Sequence, residues 1–238
     1  MVKWFSRTGK RVEVPRLRPR SESTPATKVD LAELTPDLVT FLGKAAYLQL
    51  TIFENLGRAL ANAPTTEAKE TLSRVAALSL AKHHGLTAEI TRHGDQPGAV
   101  MEPFTAGIDD YQRVTLGNDW YEAVLACHIT AGFLDDFFLR LSAGLPADYA
   151  SRVAAILKAD GGGELLAEQI RQGIDANEKL ASRLAMWGRR QVGDTMLIAR
   201  STLATSANSV SDEARIEPVF TELIAAHTRR MDGLGLTA

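Results

Sequence analysis

Between Leu38 and Leu60 apolar residues recur at three- and four-residue intervals (Leu38, Phe41, Leu42, Ala45, Ile52, Phe53, Leu56, Leu60), with no proline among them. That period places one apolar stripe along a helix of roughly six turns, and such a stripe is stable only when another apolar face covers it. Thr35 as N-cap and Pro36 at the first helical position predict its start, and Pro64 predicts its end near Ala63. Thr65 or Thr66 then caps a second helix that runs to Gly94. A connection this short between helices this long makes the pair an antiparallel hairpin.

The remaining chain continues the pattern. The Pro and Gly spacing from Asp95 to Gly117 predicts a crossover loop with one short helix near Gly107 to Thr115. A third long helix is expected from a cap at Asn118 to Gly144, apolar on most sides (Trp120, Val124, Leu125, Ile129, Phe133, Phe137) and therefore central. Short helices follow at about 146–158 and 164–172. Asp175 and Glu178 have capping-box spacing and predict a fourth long helix to about Ser206, and a last helix is expected from about Pro218 to Met231. The fold class is all-α: an antiparallel four-helix bundle with one long crossover, extra short helices and a C-terminal helix.

A chain of 238 residues suffices for one core, and a formal net charge of -2 provides no global field for nucleic acid or membrane. The charge is uneven. Residues 1–20 carry Lys3, Arg7, Lys10, Arg11, Arg16, Arg18 and Arg20 against Glu13, a balance of +6, and residues 21–25 (SESTP) form a polar linker. Residues 1–34 are therefore expected to be a basic arm and linker, and residues 35–238 the bundle. Such an arm is either solvated or a contact for RNA, DNA or an acidic partner, since phosphate contacts need clustered Lys and Arg. No run approaches the ~18 apolar residues of a membrane span, and the N-terminus has no apolar signal core, so a cytoplasmic protein without a membrane partner is expected. The single cysteine, Cys127, lies in an apolar run and reads as a buried thiol.

Five segments carry a resemblance: AAYLQLTIFENL, LAKHHGLTAEITRHG, DWYEAVLACHITAGFLDDFF, LAMWGRRQVGDTM and HTRRMDGLGL. Together they resemble the tRNA-isopentenyladenosine hydroxylase (MiaE-like) group of ferritin-like proteins, in its actinobacterial form. The resemblance implies a ferritin-like bundle and, in active members, two irons that activate dioxygen to hydroxylate a modified tRNA base. Such a site takes one Glu from each of two helices and a Glu-x-x-His pair from each of the other two, because i and i+3 side chains share a face.

No Glu-x-x-His occurs here. The residues three before His83, His84, His93, His128 and His227 are Leu80, Ala81, Ile90, Leu125 and Ile224. What remains of the pattern is Gln49, on the inward stripe of the first helix, and His83 and His84. Reflecting Gln49 through the hairpin places the facing level near Leu80, at the depth of those two histidines. Asp135 shares a face with His128, and Asp136 with Glu122. Asp194 continues the stripe Leu180, Leu184, Trp187, Gln191, Ile198. The candidate remnant site is thus Gln49, His84, Asp135, Asp136 and Asp194, with convergence of Gln49, His84 and Asp194 as the sharpest expectation. Glu54 and Glu178 read as solvated or capping, and Arg189-Arg190 as a surface pair or a phosphate contact. Two functions follow: a metal-free or weakly metal-binding scaffold or small-ligand binder, or an iron or manganese oxygenase with an unusual ligand set. A module that binds nucleic acid through the arm is the third. Assembly as a homodimer is compatible with each.

Overall fold

The computed structural model of the chain describes residues 31–204 and 209–237. The basic segment and its linker lie outside the described residues. Eight α-helices and no strand occur among those described.

Helices α1 (Leu38–Ala61) and α2 (Thr66–His93) form the antiparallel hairpin. Thr65 caps α2 by accepting from Ala68 N at 3.1 Å, and Gly94 ends it in the left-handed conformation at φ 102°. The start of α1 differs from expectation. Asp37, not Thr35, is the N-cap, its carboxylate accepting from Thr40 N at 2.9 Å. The Thr35 hydroxyl donates to Leu141 O at 2.7 Å, a tertiary tie that takes it away from local capping.

The stretch expected to be mostly loop is a helix, α3 (Pro97–Thr115). Pro97 opens it, where no N–H partner is needed, and Pro103 is tolerated inside it. Packing against α1 outweighs this local punctuation. Gly43 permits the close approach, since a Cβ there would stand 2.6 Å from Val100 O and 2.7 Å from the Phe104 ring.

Helix α4 (Trp120–Leu141) is capped by Asp119 and not Asn118. Glu122 reaches back to accept from Asn118 N at 2.8 Å and Asn118 Nδ2 at 3.0 Å, so Asn118 is occupied as a donor. Asp119 then accepts from Glu122 N at 3.0 Å. A 3-10 turn (Ser142–Gly144) leads to α5 (Ala147–Lys158), α6 (Gly163–Ala176), α7 (Glu178–Arg200) and α8 (Ser209–Gly233). The Asp175–Glu178 capping box does not form, because α6 runs through Asp175. Asn177 caps α7 by accepting from Lys179 N at 3.2 Å. Helix α8 begins well before Pro218, which sits inside it.

Helix α4 is the axis of the bundle and packs against α1, α5, α6, α7 and α8. Its apolar surroundings fall into two clusters. One gathers Phe41, Phe133, Phe137, Phe138, Leu141 and Phe220, with Phe41 and Phe138 edge-to-face at 5.3 Å. Leu34 belongs to it at 2% exposure, so packing reaches back to the residue before Thr35. The other gathers Ile52, Leu56, Leu72, Leu125, Ile129 and Leu184. Between the two, at residues 49 of α1, 79–82 of α2 and 188–195 of α7, the interior turns polar. Among the described residues no helix is long and apolar enough to cross a membrane.

Candidate functional site

The polar cross-section has two parts on opposite sides of α4. The first is centred on Lys82. Leu72, Val75, Ser79, Lys82, Leu86 and Ile90 are the buried stripe of α2, so Ser79 and Lys82 enter the core by helical period alone. Lys82 Nζ lies 2.5 Å from Asp135 Oδ2 and donates to Leu157 O at 3.2 Å. Gln49 Nε2 donates to Asp135 Oδ1 at 2.7 Å. The Ser79 hydroxyl lies 3.1 Å from Gln49 O and 3.3 Å from Gln49 Oε1. The Lys82 side chain is 4% exposed and that of Asp135 19%. Burial holds the Asp135 carboxyl above its ordinary range, opposed by the Lys82 ammonium and the Gln49 amide.

A glycine turn packs against this centre from outside. Gly162 takes φ 71°, and a Cβ on Gly161 would stand 3.2 Å from Lys82 Nζ and 3.5 Å from Asp135 Oδ2. The space left among Gln49, Ser79, Lys82 and Asp135 is about 10 Å³. That is the room of one water at most.

The residues predicted to form a site divide. Gln49 and Asp135 are brought together. His84 is exposed on α2, and it is His83 that turns inward, its Nδ1 2.9 Å from Ala46 O. Asp136 pairs with Arg230 of α8. Asp194 is half-buried and, among the described residues, has no hydrogen bond or ion pair with Gln49, His84, Arg189 or Arg190. The predicted convergence of Gln49, His84 and Asp194 is therefore not found: a step of one residue, about 100° round the helix, sends His84 to the surface, and the carboxylate that meets Gln49 comes from α4. Glu54 forms a surface pair with Arg58 at 3.6 Å, and Glu178 lies in the first turn of α7. Arg189 Nη2 donates to Thr237 O at 3.1 Å and Arg190 stands over the Trp187 ring at 5.7 Å, so neither lines the interior.

Ser79 and Lys82 are the residues that sequence reasoning missed, and their signal was present. They sit at i and i+3, the spacing of the absent Glu-x-x-His pair, on the α2 face opposite Gln49. A search for histidine passes over a lysine in that place.

The fit of this centre to a metal follows from its donors. Asp135 is its one carboxylate, Gln49 and Ser79 are neutral, and Lys82 brings a cation that competes with any metal for the same oxygen. Among the described residues no group of three or more His, Cys, Asp and Glu is placed to hold a metal ion. A di-iron centre needs several carboxylates and imidazoles, and these residues do not fit it.

The second part is a ring of hydrogen bonds joining α3, α4 and α7. Gln191 Nε2 donates to Thr130 Oγ1 at 3.3 Å, and Thr130 lies 2.9 Å from the Tyr111 hydroxyl. That hydroxyl lies 2.8 Å from Thr195 Oγ1, which donates to Gln191 O at 2.8 Å. Thr195 gives its proton to Gln191, so Tyr111 donates to Thr195, Thr130 donates to Tyr111, and the ring closes with each hydroxyl used once as donor. Burial raises the Tyr111 phenol above its ordinary value and keeps it protonated.

This ring forms the inner wall of a cavity of about 440 Å³ between α1, α3 and α4. Ile52 and Cys127 separate it from the Lys82 centre, since both line each space. Burial pushes the Cys127 thiol up to about 12, so it is a neutral apolar group there. On the opposite flank, a smaller cleft of about 210 Å³ is lined by Lys82, Asp135, His128, Asp136, Gly132 and Arg230, so the Lys82–Asp135 pair borders this cleft on the side away from Gln49. His128 Nδ1 and Arg230 Nη1 are buried there without a partner among the described residues, and burial and then Arg230 hold the His128 imidazole down at about 4.

Residues 33–212 match the protein family described as ferritin-like domain, actinomycetes. No curated protein matches the chain.

Proposed function

The chain belongs to the ferritin-like domain family, and we propose that within it this protein is a metal-free scaffold that works by binding a small molecule rather than by oxygen chemistry. The observation that carries the reading is Lys82. Its ammonium, 4% exposed, stands 2.5 Å from Asp135, and the space left between the pair, Gln49 and Ser79 is about 10 Å³. A fixed cation in that position neutralises the buried carboxylate, which an interior Asp otherwise does only through a metal or a proton. Beside it the fold keeps a cavity of about 440 Å³, within the usual size of ligand pockets.

The resemblance to the tRNA-hydroxylase group supports a common scaffold, while the donor set supports a different use of it. The deciding measurement is elemental analysis of the full chain, purified without a metal-binding tag, incubated with Fe(II) or Mn(II) under anaerobic conditions and desalted. Metal at the level of a protein-free blank is expected. Two irons per chain would overturn the proposal and restore the oxygenase reading.

For the basic segment, the +6 balance of residues 1–20 supports contact with RNA or an acidic protein. RNA binding that falls steeply with salt and disappears on removal of residues 1–26 is the result expected of it.

A further inference from the structure

We propose that the cavity between α1, α3 and α4 is a binding site for a small carboxylic acid with an apolar, ring-sized body. The inference rests on the reading of the chain as a small-molecule binder and assigns the chemistry of the ligand.

The cavity has two unlike ends. At the mouth, Gln112 of α3 is 6% exposed, and its Nε2 is buried with no hydrogen-bond partner among the described residues. Gln112 lines the cavity, and Arg58 Nη1 donates to Gln112 Oε1 at 3.4 Å, which assigns the unpartnered end of the amide as its NH2 group, buried just behind the cavity wall. A buried donor left unmade is costly, and one that lines a cavity points to an acceptor that arrives with the ligand. Arg58 supplies the charge. Its Nη1 donates to Asn55 Oδ1 at 2.8 Å, but its carboxylate partner Glu54 is distant at 3.6 Å and half-exposed. Gln112 and Arg58 together present a neutral N–H donor beside a weakly paired guanidinium, an arrangement that suits the two oxygens of a carboxylate. The carboxylate of Asp119 on the same rim is already held by Arg183.

At the inner end the hydroxyl protons are already committed. The ring of Gln191, Thr130, Tyr111 and Thr195 uses its hydroxyl protons internally. The Trp120 indole N–H is spent on Ala59 O at 3.0 Å, which leaves that side chain's carbon surface. Ile52, Ala123, Ala126 and Cys127 complete an apolar lining. A ligand body placed there gains by burial and asks for no hydrogen bond.

The test is calorimetric titration of the full chain with naphthalene-2-acetate, its primary amide, and the matching 2-(2-naphthyl)ethylamine. The acid is expected to bind, the amide roughly tenfold more weakly, and the amine not measurably. Arg58→Gln should weaken the acid by about tenfold and leave the amide unchanged, and Gln112→Leu should weaken both. Ala126→Leu fills the inner end and should abolish binding, with unchanged helical circular dichroism as the folding control. Equal binding of acid and amine, no binding of the acid, or an acid affinity indifferent to Arg58→Gln overturns the proposal. Iron content, measured on the same protein, decides the metal-free reading separately, so failure of one is distinguishable from failure of the other.

Discussion

The Lys82 centre and the Gln112 cavity lie on either side of Ile52 and Cys127, yet they have solved the problem of interior polarity in opposite ways. At Lys82 the protein supplies both charges, satisfies the carboxylate from Gln49 and Lys82, and leaves about 10 Å³ on the side of Gln49 and Ser79. At Gln112 it leaves about 440 Å³ and a buried donor with no partner among the described residues. Interior polar groups that find one another close the space between them; those that do not mark where something else is meant to go. On the proposed reading, ligand chemistry in this bundle belongs to the gap under α3 and not to the level of Gln49 and Ser79.

The comparison breaks first at Lys82. Removing one partner leaves the other charge buried, so Lys82→Met or Asp135→Leu alone should lower unfolding free energy by about 3–5 kcal/mol. The double variant Lys82→Met/Asp135→Leu should recover most of that loss, because two apolar side chains need no neutralisation. Urea denaturation of the three variants reads this directly. Singles that cost no more than a surface substitution would mean that the pair is solvated and the centre open.

Much of this architecture was legible in the sequence, and the misses have identifiable causes. Helical period alone located α1, α2, α4 and α7, because long apolar stripes are a signal that local punctuation cannot hide. Helix α3 was hidden because Pro97, Pro103 and the glycines around them are breakers by propensity, and only the packing of Val100 and Phe104 over Gly43 overrides them. Gln49 was readable as inward, and reflection through the hairpin came within one residue of its true neighbour, Ser79. Asp135 and Asp136 could not be separated, since adjacent residues on a nearly all-apolar helix give no preferred face; the partners decide, Lys82 for one and Arg230 for the other. Asp194 was assigned inward from its stripe and His84 from its depth in the hairpin, and depth does not fix the face, since one residue turns a side chain by about 100°. The cavity was invisible, because its lining comes from segments that meet only in three dimensions.

The flank of α4 opposite the cavity gives a second, smaller effect. His128 and His227 are buried, and burial together with Arg230 lowers both to about 4. Their folded pKa values lie below the ~6.5 of an unfolded chain, so the stability they contribute is complete above pH 6.5 and is lost as pH falls toward 4. Asp135 works in the other direction, since its folded pKa is raised and its contribution declines as pH rises. The histidines are two and their shifts large, so a net fall of about 2–3 kcal/mol is expected between pH 6.5 and 4. The lowered carboxyls of Asp37 and Glu89 add to the loss mainly below that window. Thermal melts across the range should show the slope, and His128→Gln/His227→Gln should flatten it; a parent profile already flat would show both imidazoles to be solvated.

The smallest effect sharpens the comparison most, because its sign is unusual. Gln112 is 6% exposed, and its Nε2 has no partner. Keeping that donor dry costs about 1–3 kcal/mol, while the contact it makes through Oε1, 3.4 Å from Arg58, is long and returns less than an ordinary hydrogen bond. Gln112→Leu keeps the volume and removes the orphan. It should therefore stabilise the ligand-free protein, by about 1 kcal/mol, in the same variant expected to bind a carboxylate more weakly. A buried polar residue whose loss improves the fold is being kept for something other than the fold. If Gln112→Leu instead destabilises, the amide is already satisfied by ordered water in the cavity, and the contrast with Lys82 would become one between a dry polar centre and a wet one.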